Sequence, residues 1–472
     1  MMMHNDIVRI SYICQYRAAA FILKCANVGR AVMNREIDVD FICRCRQKWE
    51  QDGIGQIVSN SIIQNGPLMT AMNYEAIRKL PFDFSVDTWD GNVTDQGQSL
   101  RCWAFASLNL VRQNAINKMH MQDKSFELSQ NYIYFYDQLE KCNRFLNRVI
   151  ELCDKPLDQM PMLGLLRNPI MDNGQWYVFA DITDKYGVVP KSVMPDTQCS
   201  PDTRYVTRIL SAKLRWCAWK LRSSYSQDSN KEELYTMKED MLSGIYGILC
   251  RFLGEPPATF SYSYYDNENN YNTIKSITPQ EFFKDCCGID NNDYMMIIHH
   301  PSDDYPFMQT YVERDNPDRG HDVLLNVDMP LIKQMVISQL KGGEQVVMGC
   351  DVAKQSHKPT GYMDNNLYDY DTLFGTEIMD IPKKERIQYR VIKGTHIMAF
   401  SGVDINPNGK SDRWKVQNSY GKGMGIDGYY VMADNWFDEY VLSVVINKKY
   451  APHAVLEAYE KQPVHMSESA RY

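Results

Sequence analysis

Long apolar stretches are missing from this 472-residue sequence: no run of about 18 apolar residues occurs, so no membrane-spanning helix is expected. An excess of basic residues is missing too. The formal net charge is −8, which argues against binding to nucleic acid through overall charge. With 44% hydrophobic and 23% charged residues, the composition is typical of a globular protein, and the length suggests more than one structural unit.

The sequence also lacks the usual patterns for metals and nucleotides. The cysteines at 43–45 and 286–287 do not form the C-x₂-C pairs of a structural zinc site, and the histidines at 299–300 have no Glu-x-x-His arrangement nearby. Residues 423–428 fit G-x-G-x-x-G, but a predicted strand follows them, whereas a dinucleotide site needs a helix there. No cofactor and no metal are therefore predicted.

Thirteen cysteines are an odd number spread over a long chain, unlike the dense pattern of a small secreted protein. We therefore expect reduced thiols and a cytoplasmic protein. Residues 1–35 hold five basic residues and one acidic residue, so a mitochondrial presequence is the alternative. The segment is poor in serine, and a plain N-terminal helix is the favoured interpretation.

Helical periodicity is clearest before residue 300. Apolar residues recur at steps of three and four over 206–221 and over 234–249, and Gly254 ends the second run. A polar loop is predicted between these helices at 223–231. The aromatic-rich stretch 132–145 is also predicted to be helical.

Short β-branched or aromatic runs dominate after residue 300. They predict strands at 346–348, 396–400, 428–432 and 440–445. Helices first and strands later favour an α+β fold with an active site between two lobes.

The most informative segment is QGQSLRCWAF at 96–105, in which a glutamine precedes a cysteine by six residues. A helix is predicted to begin at or just after Cys102. Its positive end would favour the thiolate, which a free thiol with a pKa near 8.5 seldom forms at neutral pH.

Two downstream segments supply partners for this cysteine. His396 lies in an apolar run, and Asn418 lies in WKVQNS at 414–419. An imidazolium at His396 would pair with the thiolate, and Asn418 would orient the ring. Gln96 would direct a side-chain N–H at the developing oxyanion, beside the backbone N–H of Cys102. These residue types in this order predict the active site of a papain-like cysteine protease.

From about residue 40 to residue 462, the sequence closely resembles the bleomycin hydrolase and aminopeptidase C family of papain-like cysteine peptidases. The similarity is carried by FELSQ at 126–130, DNGQW at 172–176, KYGVVPK at 185–191, GCDV at 349–352, NLYD at 366–369 and DNWFDEYV at 434–441.

The resemblance implies an α+β, papain-like two-lobe fold with a helical left lobe, a β-rich right lobe and a helical insertion. The expected segments are an N-terminal extension at 1–40, the helical catalytic lobe at 41–195, the oligomerising helical insertion at 196–300, the β-rich lobe at 301–450 and a C-terminal arm at 451–472. It also implies a cytoplasmic homohexamer that removes N-terminal residues from peptides without a cofactor. Cys102, His396 and Asn418 would be the triad, Gln96 the oxyanion residue, and Asn173, Gly174 and Tyr472 substrate-binding residues.

Several positions depart from the family pattern. Leu100 and Asn173 stand where the family has glycine, and Tyr420 stands where it has tryptophan. In the family a C-terminal arm lies in the cleft, and its carboxylate receives the substrate's ammonium group. This chain ends at Tyr472 and lacks the family's closing sequence, so a weaker preference for free N-termini is predicted. The alternatives are an endopeptidase, a catalytically impaired scaffold, or a nucleic-acid-binding assembly, the last disfavoured by the net acidity.

Overall fold

The computed structural model describes residues 36–89, 91–228, 230–313, 321–378 and 380–467. The helix or presequence predicted at 1–35 lies outside the described residues, as does Tyr472. The described residues form two units. One consists of 36–72 with 368–378, and the other of 73–367 with the described residues from 380 onward.

The helices in chain order are α1 (Val39–Gln51), α2 (Gly53–Asn65), α3 (Pro67–Ala71), α4 (Tyr74–Arg78), α5 (Cys102–Lys118), α6 (Gln130–Glu151), α7 (Met162–Arg167), α8 (Trp176–Tyr186), α9 (Arg204–Asp228), α10 (Lys231–Leu253), α11 (Pro279–Glu281), α12 (Met329–Lys341), α13 (Tyr370–Phe374), α14 (Lys383–Gln388), α15 (Asp434–Tyr440) and α16 (His453–Tyr459).

The strands are β1 (Val86–Asp87), β2 (Phe260–Tyr265), β3 (Tyr271–Ile277), β4 (Tyr294–Ile298), β5 (Gln309–Val312), β6 (Val323–Asn326), β7 (Val346–Cys350), β8 (Ser356–His357), β9 (Tyr362–Met363), β10 (His396–Ile405), β11 (Ser411–Gln417), β12 (Tyr429–Ala433), β13 (Val441–Asn447) and β14 (Val464–His465). Short π-helical and 3₁₀ turns lie at Phe282–Cys287, Asn291–Asp293 and Lys448–Tyr450.

Helices α9 and α10 confirm the helical predictions around residues 206–221 and 234–249. The five periodic apolar residues of α9 are fully buried: Val206, Leu210, Leu214, Cys217 and Leu221. Asn230 caps the start of α10, and Gly254 follows its end with φ +85°. The polar loop predicted at 223–231 is wrong, because α9 continues to Asp228. Polar residues extend a helix readily where its surface faces water.

One large mixed sheet contains most strands of the larger unit. Its order is β14-β5-β6-β4-β13-β7-β10-β11-β12-β9-β8, and β1 pairs with β10. The strands predicted around 346–348, 396–400, 428–432 and 440–445 are confirmed as β7, β10, β12 and β13. The hairpin of β2 and β3 forms a separate small sheet within the segment 196–300, which the apolar periodicity did not reveal.

Two hydrophobic cores result within the larger unit. One is built mainly by α5, α6, α8, α9 and α10. The other lies between the large sheet and α12, α15 and α16. A helix-rich core beside a sheet-rich core confirms the predicted α+β architecture, while the proposed segment boundaries stay predictions.

The smaller unit exposes much of its apolar surface. Neither α1 nor α2 has a buried residue, and their large exposed apolar side chains are Val39, Phe41, Ile42, Trp49, Ile54, Ile57 and Ile63. No helix in the described part of the chain is both long and apolar enough to cross a membrane.

Candidate active site

Cys102 is the first residue of α5, so its thiol lies where backbone N–H groups point out of the helix. Thirteen of the 17 residues of this helix are buried, which makes α5 the central helix of its core rather than a surface helix with one apolar face. The backbone of Ile397, the residue after His396, forms a hydrogen bond to the Cys102 thiol. The start of α5 and the start of β10 therefore meet at this sulfur.

His396 and Asn418 are joined by a direct hydrogen bond. They lie at adjacent ends of the neighbouring strands β10 and β11, where Ala399 pairs with Gln417. The His396 ring nitrogen Nε2 and the Asn418 oxygen Oδ1 are 2.8 Å apart. Because Oδ1 can only accept, Nε2 carries the proton and Nδ1 is left as a base.

Burial acts on both ionisable groups of the pair. Withdrawal from water raises the pKa of Cys102 to about 11, while backbone hydrogen bonds from Ile397 and Trp103 oppose this rise. Withdrawal from water lowers the pKa of His396 to about 4, and the hydrogen bond to Asn418 opposes that shift. Each shift disfavours a lone charge in the site. Transfer of the thiol proton to the ring creates two opposite charges together, which stabilise each other.

Gln96 is tied to the segment that carries Asn418. Its backbone N–H donates to the carbonyl of Ser419 at 2.9 Å, and the Ser419 hydroxyl donates to Gln96 Oε1 at 3.1 Å. The Gln96 side-chain amide donates to the carbonyl of Ser99 at 2.7 Å. These bonds orient a carboxamide, which has two N–H donors, near the start of α5.

Asn173 and Gly174 form a wall of the site. Lys141 Nζ donates to the Asn173 carbonyl at 2.6 Å, and Trp103 Nε1 donates to the Asp172 carbonyl at 2.9 Å. A Cβ atom on Gly174 would lie 2.7 Å from the Trp103 ring, so only glycine fits there without displacement. The helix that carries Cys102 thus also sets the position of this wall.

One cavity of about 440 Å³ brings most predicted site residues together. Gln96, Cys102, Asn173, Gly174 and His396 line it, together with the exposed Leu100 and with Tyr420. Asn418 is buried behind His396. The cavity is also lined by Glu313, whose carboxylate accepts from the Tyr177 hydroxyl at 3.3 Å.

Several residues that shape this site were not predicted from the sequence. Ser419 and Ser99 hold Gln96, and Lys141 holds Asn173, but each is of a common polar type whose role depends on distant partners. Ser419 directly follows Asn418, which is the only local hint to its role. Among the residues that the structure describes, no three His, Cys, Asp or Glu side chains gather as a metal ion would require.

Comparison with known proteins places this site in a family. The model of the Peptidase C1-like family matches residues 36–468. Aminopeptidase C of Listeria monocytogenes is 35% identical over 435 residues, which cover 92% of this chain and 97% of that protein. Aminopeptidase W of Lactobacillus delbrueckii subsp. lactis is 34% identical, with coverage of 92% and 98%.

A solved structure has a similar fold along nearly the whole chain. The crystal structure of PepW from Lactobacillus rhamnosis superposes with a TM-score of 0.87 at 35% sequence identity, covering 93% of this chain and 99% of that one. On this similarity of sequence and fold, the chain belongs to the Peptidase C1-like family of cysteine peptidases.

Proposed function

We propose that this protein is a cysteine-type aminopeptidase that removes residues from the N-termini of peptides. The observation that carries this proposal is the meeting of Cys102, at the start of a buried helix, with the hydrogen-bonded pair of His396 and Asn418 in one open cavity. The relatives that match almost the full chain are named aminopeptidases C and W, which favours action at N-termini.

The reaction follows from the roles that we propose for these groups. The Cys102 thiolate attacks the carbonyl carbon of the first peptide bond, and the oxyanion receives N–H donors from Gln96 and the Cys102 backbone. The His396 imidazolium gives its proton to the departing amine as the C–N bond breaks, leaving a thioester. His396 then takes a proton from water, whose oxygen attacks the thioester and releases the amino acid and the thiol.

Recognition of the substrate's N-terminus is proposed to involve Asn173, Gly174 and the C-terminal residue Tyr472. Strand β14 pairs in parallel with β5, and the Met466 N–H donates to the Val312 carbonyl at 2.9 Å. The C-terminal arm is therefore attached next to Glu313, which lines the cavity.

One fluorogenic peptide in free and N-acetylated forms tests the proposal. Wild-type protein is expected to cleave the free form faster and the acetylated form detectably, and Cys102→Ser is expected to abolish both activities. Equal rates on both forms would instead identify an endopeptidase. If Cys102 is alkylated no faster than a free thiol, the protein is a scaffold.

We also propose that the protein assembles in the cytoplasm as a homohexamer, as the family resemblance implies. The exposed apolar side chains of α1 and α2 support self-association, because a monomer would leave them in water. All cysteines of the described residues are free thiols, which suits a reducing compartment. Nucleic acid is not proposed as a partner, because the net charge is −8.

A further inference from the structure

The Tyr420 ring stacks on the His396 ring, and the Lys358 side chain in turn lies over the Tyr420 ring. The rings of His396 and Tyr420 are nearly parallel, with an interplanar angle of 15° and centroids 4.9 Å apart. The Lys358 Nζ lies 3.6 Å from the Tyr420 ring centroid. Because the imidazole covers one face of the phenol ring, the ammonium occupies the other, within the range of a cation–π interaction.

The backbone of Lys358 is fixed independently of its side chain. Lys358 lies in the short turn between β8 and β9, and its carbonyl accepts from the Tyr430 hydroxyl at 2.9 Å. The turn is closed by the Gly361 N–H, which donates to the His357 carbonyl at 2.8 Å. It is also attached to the glycine-rich turn at 421–428 by the Gly425 N–H, which donates to the Pro359 carbonyl at 3.1 Å. These hydrogen bonds therefore fix the backbone from which the Lys358 side chain extends.

We propose that Lys358 is a positioning residue for the peptidase reaction: its ammonium holds the Tyr420 ring flat against His396, so that the ring covers the His396–Asn418 hydrogen bond. The inference rests on the proposed catalytic role of His396. A phenol ring is smaller than an indole and covers less of the bond by itself. A cation on its outer face restricts the ring to the stacked orientation at little steric cost.

Lys358 also acts on His396 by charge. Burial of the ring is the main cause of the lowered pKa of His396, and the positive charge of Lys358 lowers this pKa further. The titratable groups that face the ring are Cys102 from α5, the buried Cys350 thiol opposite on β7 and the Tyr420 phenol. Burial raises the pKa of Cys350 and of Tyr420, so both stay neutral near pH 7.

The Asp351 carboxylate follows Cys350 and accepts a hydrogen bond at 3.2 Å from the hydroxyl of Thr395, the residue before His396. Neither Asp351 nor the neutral thiol and phenol replaces the positive charge of Lys358. Loss of that charge should therefore favour the His396 imidazolium in its proposed pair with the Cys102 thiolate. The alkaline limb of the activity profile, where this imidazolium loses its proton, should then move to higher pH.

The test compares Lys358→Met, which keeps the unbranched chain and removes the charge, with Lys358→Arg, which keeps a cation for the ring. The pH dependence of kcat and KM is measured on a free-N-terminal fluorogenic peptide, together with the pH dependence of Cys102 alkylation by iodoacetamide. For Lys358→Met we expect kcat to fall about two- to fivefold, KM to stay unchanged and the alkaline limb to move upward. Lys358→Arg should remain close to wild type.

Lys422→Met is the matched control, because Lys422 is an exposed lysine in the neighbouring glycine-rich turn. This substitution removes the same charge from a side chain that does not contact the Tyr420 ring. It should leave kcat and the alkaline limb of the pH profile the same as in wild type, within experimental scatter. In a Tyr420→Trp background, Lys358→Met should lose less activity, since the wider indole covers the bond unaided.

Two results would overturn the inference: an unchanged pH profile and kcat in Lys358→Met, or equal losses in Lys358→Met and Lys358→Arg. Failure of the proposed function is recognised separately, because wild-type protein would then neither cleave the peptide nor show rapid alkylation of Cys102.

Discussion

At the scale of single residues, the Asn418 side chain serves two donors at once. Its Oδ1 accepts from His396 Nε2 at 2.8 Å and from the Ser419 backbone N–H at 2.8 Å. All three groups are buried, so the loss of this oxygen leaves donors without water. The asparagine thereby fixes both the imidazole and the backbone that holds Gln96.

Replacement of Asn418 by Ala is expected to lower kcat/KM about 10- to 100-fold, because a buried donor without an acceptor costs about 1–3 kcal/mol. Asn418→Asp keeps both an oxygen acceptor for the two donors and the side-chain volume. It therefore serves as the control for the volume that Asn418→Ala removes. Steady-state kinetics at several pH values measures both variants. Similar kcat/KM values for Asn418→Ala and wild type would contradict the role that we propose for this residue.

At the scale of elements, the start of α5 determines the site more than any other segment. It presents Cys102 and, one residue later, places the Trp103 ring against Gly174. The sequence predicts that a helix begins here, and Trp103, Ala106, Leu110 and Ala115 predict a single apolar face. The structure buries the helix almost all round, because β10 and other helices pack on several sides of it.

Gly174→Ala tests this coupling between helix and wall. The new methyl group would lie 2.7 Å from the Trp103 ring, which its hydrogen bond to Asp172 holds in place. We expect a rise in KM larger than any fall in kcat, with about 1–3 kcal/mol lost from the free energy of unfolding.

Gly423→Ala is the matched control, since nothing lies within 4 Å of its added methyl group. Peptide kinetics and thermal unfolding are measured on both variants. The coupling would be refuted if the two substitutions had the same small effect.

At the scale of the whole molecule, folding withdraws histidines from water, which makes stability depend on pH. Burial lowers the pKa of His299 to about 3 and that of His396 to about 4, below the ordinary value of 6.5. Between pH 6.5 and these values the unfolded chain binds more protons than the folded one. Stability should therefore fall as the pH drops through this window, by at most about 1.4 kcal/mol per pH unit for each histidine.

His299→Asn should make this fall less steep, because asparagine can donate where His299 Nδ1 donates to the Val327 carbonyl at 3.1 Å, yet it does not titrate. Chemical unfolding at pH 7, 6 and 5 measures the slope. Parallel slopes for the variant and wild type would show that His299 does not contribute.

The proposed self-assembly is a second property that belongs to the whole molecule. Ile54 and Ile57 of α2 are 79% and 71% exposed, so replacing both with Gln should not unfold a monomer but should shift the assembly to smaller species. Light scattering after size-exclusion chromatography measures the mass. Tyr389→Gln, at a side chain 76% exposed in the larger unit, is the control and should keep the mass of wild type.

The sequence alone determined which residue types the site contains and the classes of its elements. A cysteine, a histidine and an asparagine are recognisable by type and order, and the strands and the buried apolar stripe of α9 can be predicted from periodicity, because that information is local. Only the tertiary structure decided where α9 ends, that the Trp103 ring leaves no room for a side chain at Gly174, and that Lys358 lies over Tyr420. Those outcomes depend on which distant segments pack against each other. Packing and desolvation determine these contacts, and neither segment alone carries a sequence pattern that predicts them.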